Sequence, residues 1–169
     1  MSNKSAEVVD RGPSNSRKVE NIVRIASRFE WSWHWGDLDP ICRTLGWRIA
    51  QECDSLVVLA TDLELSRPEA GAFGDADNMS FIDILVTDWC EGADAATSRR
   101  VYDQFADISE AIGSFLGSPT RRRAGGNGEV RWDLPKVVIR LRLFDNSINL
   151  RLADPAHQEW LDEPDGGDI

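Results

Sequence analysis

Chemistry at neutral pH needs a nucleophile beside a base, a set of metal ligands, a phosphate cradle or a tuned pair of carboxyl groups. The two histidines, His34 and His157, stand far apart and lack metal-ligand spacing. Cys42, Cys53 and Cys90 are an odd number without a CxxC pair, so they read as small buried or half-buried thiols of a reducing compartment. The acid pairs Asp37/Asp39 and Asp75/Asp77 have the chemistry of a carboxylate mechanism or a calcium site. Neither lies in an EF-hand pattern, and capping and loop solvation account for them. Gly125-Gly126-Asn127-Gly128 precedes a strand rather than a helix, so it offers no helix N-terminus to a phosphate. No GxSxG, GxxxxGK[ST] or HExxH pattern is present. The expectation is a protein without catalytic residues, metal or cofactor, working by binding a macromolecule.

The distribution of charge says what kind. The 169 residues carry a formal net charge of −10. Residues 52–94 hold eleven acids against Arg67 alone, and residues 154–169 hold six acids and no base. The rest is mildly basic. Binding nucleic acid through phosphates needs a basic face, so this polarity argues against it. It suits a basic protein partner, whose encounter complementary charge would steer. The expected contact residues are Asp62, Glu64, Glu69, Asp75 and Asp77. To these the alternation Trp31-Ser32-Trp33-His34-Trp35 adds Trp33 or Trp35, since an exposed tryptophan is over-represented at binding hot spots. Trp47 and Trp132 fall on apolar faces and read as core; Trp89 and Trp160 complete the seven.

The elements that would hold these residues follow from periodicity. Residues 1–16 read as a disordered lead, with Ser16 capping a helix to about Phe29 whose buried face is Val19, Ile22, Val23, Ala26 and Phe29. Asp37 or Asp39 caps a short helix with Leu38, Ile41, Cys42 and Leu45 inward, and Gly46 stops it. The period then changes to two: strands are expected over 47–51, 56–64 and 79–88, with a loop at 65–78. The longest helix spans about Asp94 to Leu116, ended by Gly117 and Pro119. The Arg121-Arg122-Arg123 run and the glycines after it read as a mobile loop. Three strands follow, over 129–133, 137–144 and 147–153, and then an acidic tail in which Trp160-Leu161 can dock a short helix. No apolar run reaches the ~20 residues that span a bilayer. The polar start lacks the apolar stretch of a secretory signal, which points to a cytoplasmic protein.

The last two hairpins fix a face. A two-residue turn at Asp145-Asn146 pairs Phe144 with Ser147, Arg142 with Asn149 and Arg140 with Arg151. Leu141/Leu150 and Leu143/Ile148 then point to the core. A turn at Leu134-Pro135 sets Glu129 opposite Arg140 and Trp132 opposite Val137. The outer face thus collects Arg131, Arg140, Arg142 and Arg151, either paired with Glu129, Asp62, Glu64 or Asp83, or open as a basic patch for an acidic ligand.

The expected fold is α+β: an antiparallel sheet with the element order ααβββαβββ and helices packed on one face. A single domain covers 17–153, with 154–169 as its tail. Several stretches together carry a resemblance: Trp31-Ser32-Trp33, Leu45-Gly46-Trp47, Thr61-Asp62-Leu63, Gly117-Ser118-Pro119-Thr120, Glu129-Val130-Arg131-Trp132 and Ile148-Asn149-Leu150. Over about residues 19–153 the chain resembles an uncharacterised actinobacterial family of unknown function, from which no catalytic residue carries over. Its size and acidity also look similar to immunity proteins of polymorphic toxin systems. The resemblance implies a monomer that forms a heterodimer with a basic toxin domain and occludes its active site. The alternative is a secretion or assembly chaperone, which needs an exposed apolar surface around Trp33, Trp35 and Phe81.

Overall fold

Apolar residues three and four apart drive the first helix onto the body. The computed structural model describes residues 12–88, 94–144 and 146–164. Within them α1 runs Gly12–Arg28, and Val19, Ile22, Val23 and Ala26 are its fully buried stripe. The helix starts four residues before the expected Ser16 cap, because Pro13 falls in the first turn, where a missing N–H leaves nothing unpaired. The remainder of the expected lead, residues 1–11, lies outside the described residues, as do Trp89 and Cys90.

A 3₁₀ turn, Trp35–Asp37, leads into α2, Leu38–Leu45, which buries Leu38, Ile41, Cys42 and Leu45. Gly46 ends it at φ 77°, a left-handed conformation that a side chain would strain. Strands β1 (Arg48–Glu52), β2 (Leu56–Ala60), β3 (Glu69–Gly74) and β4 (Met79–Leu85) form an antiparallel meander. The long helix α3, Ala95–Leu116, begins at Asp94, whose carboxylate accepts the Thr97 N–H. Strands β5 (Arg121–Arg123), β6 (Glu129–Asp133), β7 (Val138–Phe144) and β8 (Ser147–Ala153) form a second meander. Pairing of β4 with β8 joins the two into one eight-stranded sheet of order β1-β2-β3-β4-β8-β7-β6-β5. The core lies between this sheet and the layer α1, α2 and α3. A last helix, α4 (Pro155–Asp162), crosses the opposite, arginine-bearing face, where it meets Arg131, Arg140 and Phe81.

The structure is α+β, with an antiparallel sheet and helices packed against it, as the periodicity implies. Five details differ. The expected loop at 65–78 contains β3, an interior strand, and the expected loop after Arg121 begins with β5. The strand expected to reach Glu64 ends at Ala60, after which the chain leaves the sheet with Thr61 N–H bonded to Pro68. The β6–β7 register is shifted by two: Glu129 faces Arg142 and Trp132 faces Ile139. The turn centres on Pro135-Lys136, closed by Leu134 N–H to Val137 C=O. Proline suits the first central position of a turn and not the second, where the expected register had put it. The even shift preserves the faces, so Val130 and Trp132 remain buried. Finally, half of the expected tail, Pro155–Asp162, is α4, capped by Asp154 through the Ala156 N–H.

Candidate functional site

The site is built from the tryptophan loop outward. Asp37 does not cap α2 with its side chain. Its carboxylate turns back and accepts the N–H of Ser32, the hydroxyl of Ser32 and the N–H of Trp33, each at 2.8 Å. Those bonds hold Trp33 at φ 62°, the sole non-glycine with a positive φ among the described residues. The Trp33 ring stacks on Trp31 at 4.4 Å, and its N–H donates to the Lys136 carbonyl. At 5% exposure Trp33 is core, so of the two expected contact tryptophans only Trp35 reaches the surface. The Met79 N–H bonds to the Trp33 carbonyl, and the Trp35 indole donates to Asp75 at 2.8 Å. The loop is thereby stitched to the β3–β4 turn.

That turn is rigid in its own right. The Asp75 carboxylate accepts the N–H groups of Asp77 and Asn78, which holds its pKa below the usual carboxylate range. Gly74 N–H donates to Ser55, tying the β3–β4 turn to the β1–β2 turn beside it. Between the two turns, α2 and Trp35 lies a cleft of about 250 Å³. Its walls are Trp35, Leu38, Asp39, Ile49, Glu52, Cys53, Asp54, Val57 and Ala76. Three of these are carboxylates and none is basic. Leu38, Ile49 and Val57 supply an apolar floor, and Asp75 and Asp77 flank Ala76 at the rim. Apolar side chains beside carboxylates are the chemistry that takes up the stem and head of a lysine or arginine side chain.

The five acids expected to act together do not share a surface. Asp75 and Asp77 lie at the cleft end of β3, while Glu69 begins that strand at its other end, near Asp62 and Glu64. There the acids are structural in part: Asp62 accepts the Trp47 indole N–H, and the Glu64 backbone is bonded both ways by the Asn15 amide. Glu52 and Asp54 are cleft acids that residue types alone did not single out, and Asp39 stood out only as a cap or half of an acid pair. Their signal is positional, since Glu52-Cys53-Asp54 and Asp75-Ala76-Asp77 are alternate turns of one meander and must emerge on the same side. Cys53 is exposed at the cleft, whereas Cys42 is buried and its thiol is pushed up to about 11, by burial first and then by Asp39. Among the described residues no group of three His, Cys, Asp or Glu side chains is placed to hold a metal ion.

The arginine face is largely paired. Arg151 makes two bonds to Asp83 at 2.7 and 2.9 Å, and Arg140 is bonded to Glu129. Burial works to raise the Glu129 carboxyl, but Arg140, Arg123 and Arg142 outweigh it and hold it low. Arg131 is gripped bidentately by Asp162 at 3.0 and 2.7 Å and by Asp133 at 2.8 Å. Asp162 was not among the expected partners, because it comes from the segment read as a tail. Arg142 lies over the Phe144 ring, half-buried, and burial with Arg151 and Arg140 nearby pulls its pKa down. Phe81 is sandwiched by Phe73, the Arg151 guanidinium and His157. The apolar surface a chaperone would need is therefore not formed by Trp33, Trp35 and Phe81 together.

Fold and site define a helix-covered open-sheet protein with an acidic cleft at one edge. The chain belongs to a family of unknown function, DUF6301, which matches residues 17–154. No curated protein matches it. Among solved structures it is similar to a DUF4309 family protein, YjgB, of Bacillus subtilis, at 14% identity and a TM-score of 0.44, over 84% of this chain and 99% of that one. Among the described residues no helix is long and apolar enough to cross a membrane.

Proposed function

We propose that the protein acts as an immunity protein: it binds a basic toxin domain in the cytoplasm and blocks that domain's active site. The observation that supports this reading is the acidic cleft, three carboxylates over an apolar floor with an indole at the wall. It is a receptacle for one cationic side chain of a partner, and the flanking Asp75 and Asp77 extend the field that steers encounter. The similarity of size and acidity to immunity proteins of polymorphic toxin systems agrees with it.

The test is binding to the toxin domain encoded beside it, using Cys53 as a built-in probe. A bulky maleimide on Cys53, in a Cys90→Ser background, fills the cleft while burial spares Cys42. The expected result is loss of the complex on labelling and on Glu52→Lys/Asp54→Lys, with unchanged binding for Asp103→Lys on α3. A complex indifferent to both treatments, or the absence of any complex, overturns the reading.

A further inference from the structure

A second pocket lies at the opposite edge of the sheet. Five strand spacings of about 4.8 Å separate β2 from β6, so the two sites are roughly 25 Å apart. This pocket, of about 280 Å³, is lined by Arg121, Arg122, Arg123, Arg131 and Arg140 together with two carboxylates, Glu129 and Asp162. A self-contained ion cluster would balance; with Asp133, which also pairs with Arg131, this one still carries an excess of two positive charges. The excess sits on the β5 arginines. Arg121 and Arg123 are 64% and 65% exposed and reach their nearest carboxylates only at 3.9 and 3.8 Å, and among the described residues Arg122 has no ion-pair partner. Arg131, by contrast, is fixed at the pocket base, with its planar fork presented to two oxygens of one anion.

We propose that this pocket binds a diphosphate group, and that Asp162 is an internal carboxylate occupying the Arg131 fork in its absence. A carboxylate and a phosphate present the same bidentate face to a guanidinium. With Asp162 released, the five arginines face only Glu129 and Asp133, an excess of three that the roughly threefold negative charge of a diphosphate matches. Asp162 is the last residue of α4, so releasing it requires only the final turn of a short helix to swing away. This inference stands apart from toxin binding, since it concerns other residues and another ligand.

Calorimetric titration of the full chain with pyrophosphate at low ionic strength tests it. Wild type is expected to bind pyrophosphate at least about tenfold more tightly than sulfate, because charge and both phosphoryl groups are used. Asp162→Asn is expected to tighten binding several-fold by removing the competing carboxylate. Arg121→Gln/Arg123→Gln, both exposed on an edge strand and on the face of Arg131, is expected to weaken it about tenfold or more with an unchanged melting temperature. ADP in a parallel titration separates the sources: tighter binding than pyrophosphate indicates a nucleotide-borne diphosphate, equal or weaker binding the free ion. Absence of binding to both wild type and Asp162→Asn, or affinity unaltered in the double arginine variant, overturns the proposal.

Discussion

Trp33 adopts a conformation that costs a non-glycine residue about 1–2 kcal/mol, and one carboxylate compensates for it. Asp37 gathers two successive backbone N–H groups and a hydroxyl, so removing it leaves donors unpaired in a half-buried loop. Asp37→Ala should therefore destabilise the protein by about 3 kcal/mol in urea unfolding, and Ser32→Ala, which loses one hydroxyl bond, by about 1 kcal/mol. Equal effects would show that the carboxylate does not organise the loop. Because Trp35 follows two residues later, Asp37→Ala should also loosen the cleft wall. At this scale the sequence was legible in type and not in direction. Asp37 is a plausible cap by position, and its buried role depends on the chain reversing at Trp33. Tryptophan gives no hint of that reversal, because the left-handed region is ordinarily the province of glycine and asparagine.

The hidden elements have physical reasons of their own. Strand β3 reads as a loop because Gly71 and Gly74 weaken its propensity, yet both sit where a side chain would crowd a neighbour. A Cβ on Gly71 would lie 2.8 Å from the Phe73 ring, and one on Gly74 would lie 2.1 Å from the Asn78 carbonyl oxygen. The ring beside Gly71 can yield and the backbone beside Gly74 cannot. Gly74→Ala should cost more than about 2 kcal/mol in unfolding free energy, well above Gly71→Ala. By contrast the 144–147 hairpin was legible in full, since alternation and a two-residue turn leave one register. Helix α4 was foreseen only as an option, and its attachment is expected to be acid-sensitive. Burial against Phe81, with Arg151 nearby, holds His157 below the usual imidazole range, against a smaller opposing effect of Asp154. The unfolded chain thus takes up its proton first, near pH 6.5. His157 contributes fully above that pH, and its contribution falls as pH drops through the lower folded value. The carboxylates held low by arginines, Asp162 and Glu129, titrate in a more acid window. The urea midpoint should accordingly decline between pH 7.5 and 5.5 in wild type and flatten in His157→Gln. A decline that persists in the variant would assign it to other groups.

Across the whole molecule, the net charge of −10 conceals a polarity along the sheet. The β1–β2 edge carries the acidic cleft, the β5 edge carries the arginine pocket, and between them lie strands that include the Arg151–Asp83 pair. The sequence showed this polarity as segments 52–94 and 95–153, but segment charge does not say which acids cluster. Strand β3 divides the acids of 52–94 between two ends of the meander, so a test by charge reversal can tell them apart. If the cleft end receives a cationic partner, Glu52→Lys/Asp54→Lys should slow association by about tenfold or more and flatten its dependence on salt. Asp62→Lys/Glu64→Lys, at the far end, changes net charge equally. It should slow association only by the modest factor that overall charge imposes, with the salt dependence retained. Stopped-flow association rates over a range of ionic strength give both numbers, and screening over a Debye length of about 10 Å at 0.1 M separates the two ends, since β3 alone spans some 20 Å. Equal slowing by the two pairs would mean that net charge rather than the cleft steers the partner, and the acidic cleft would lose its claim to be the binding site.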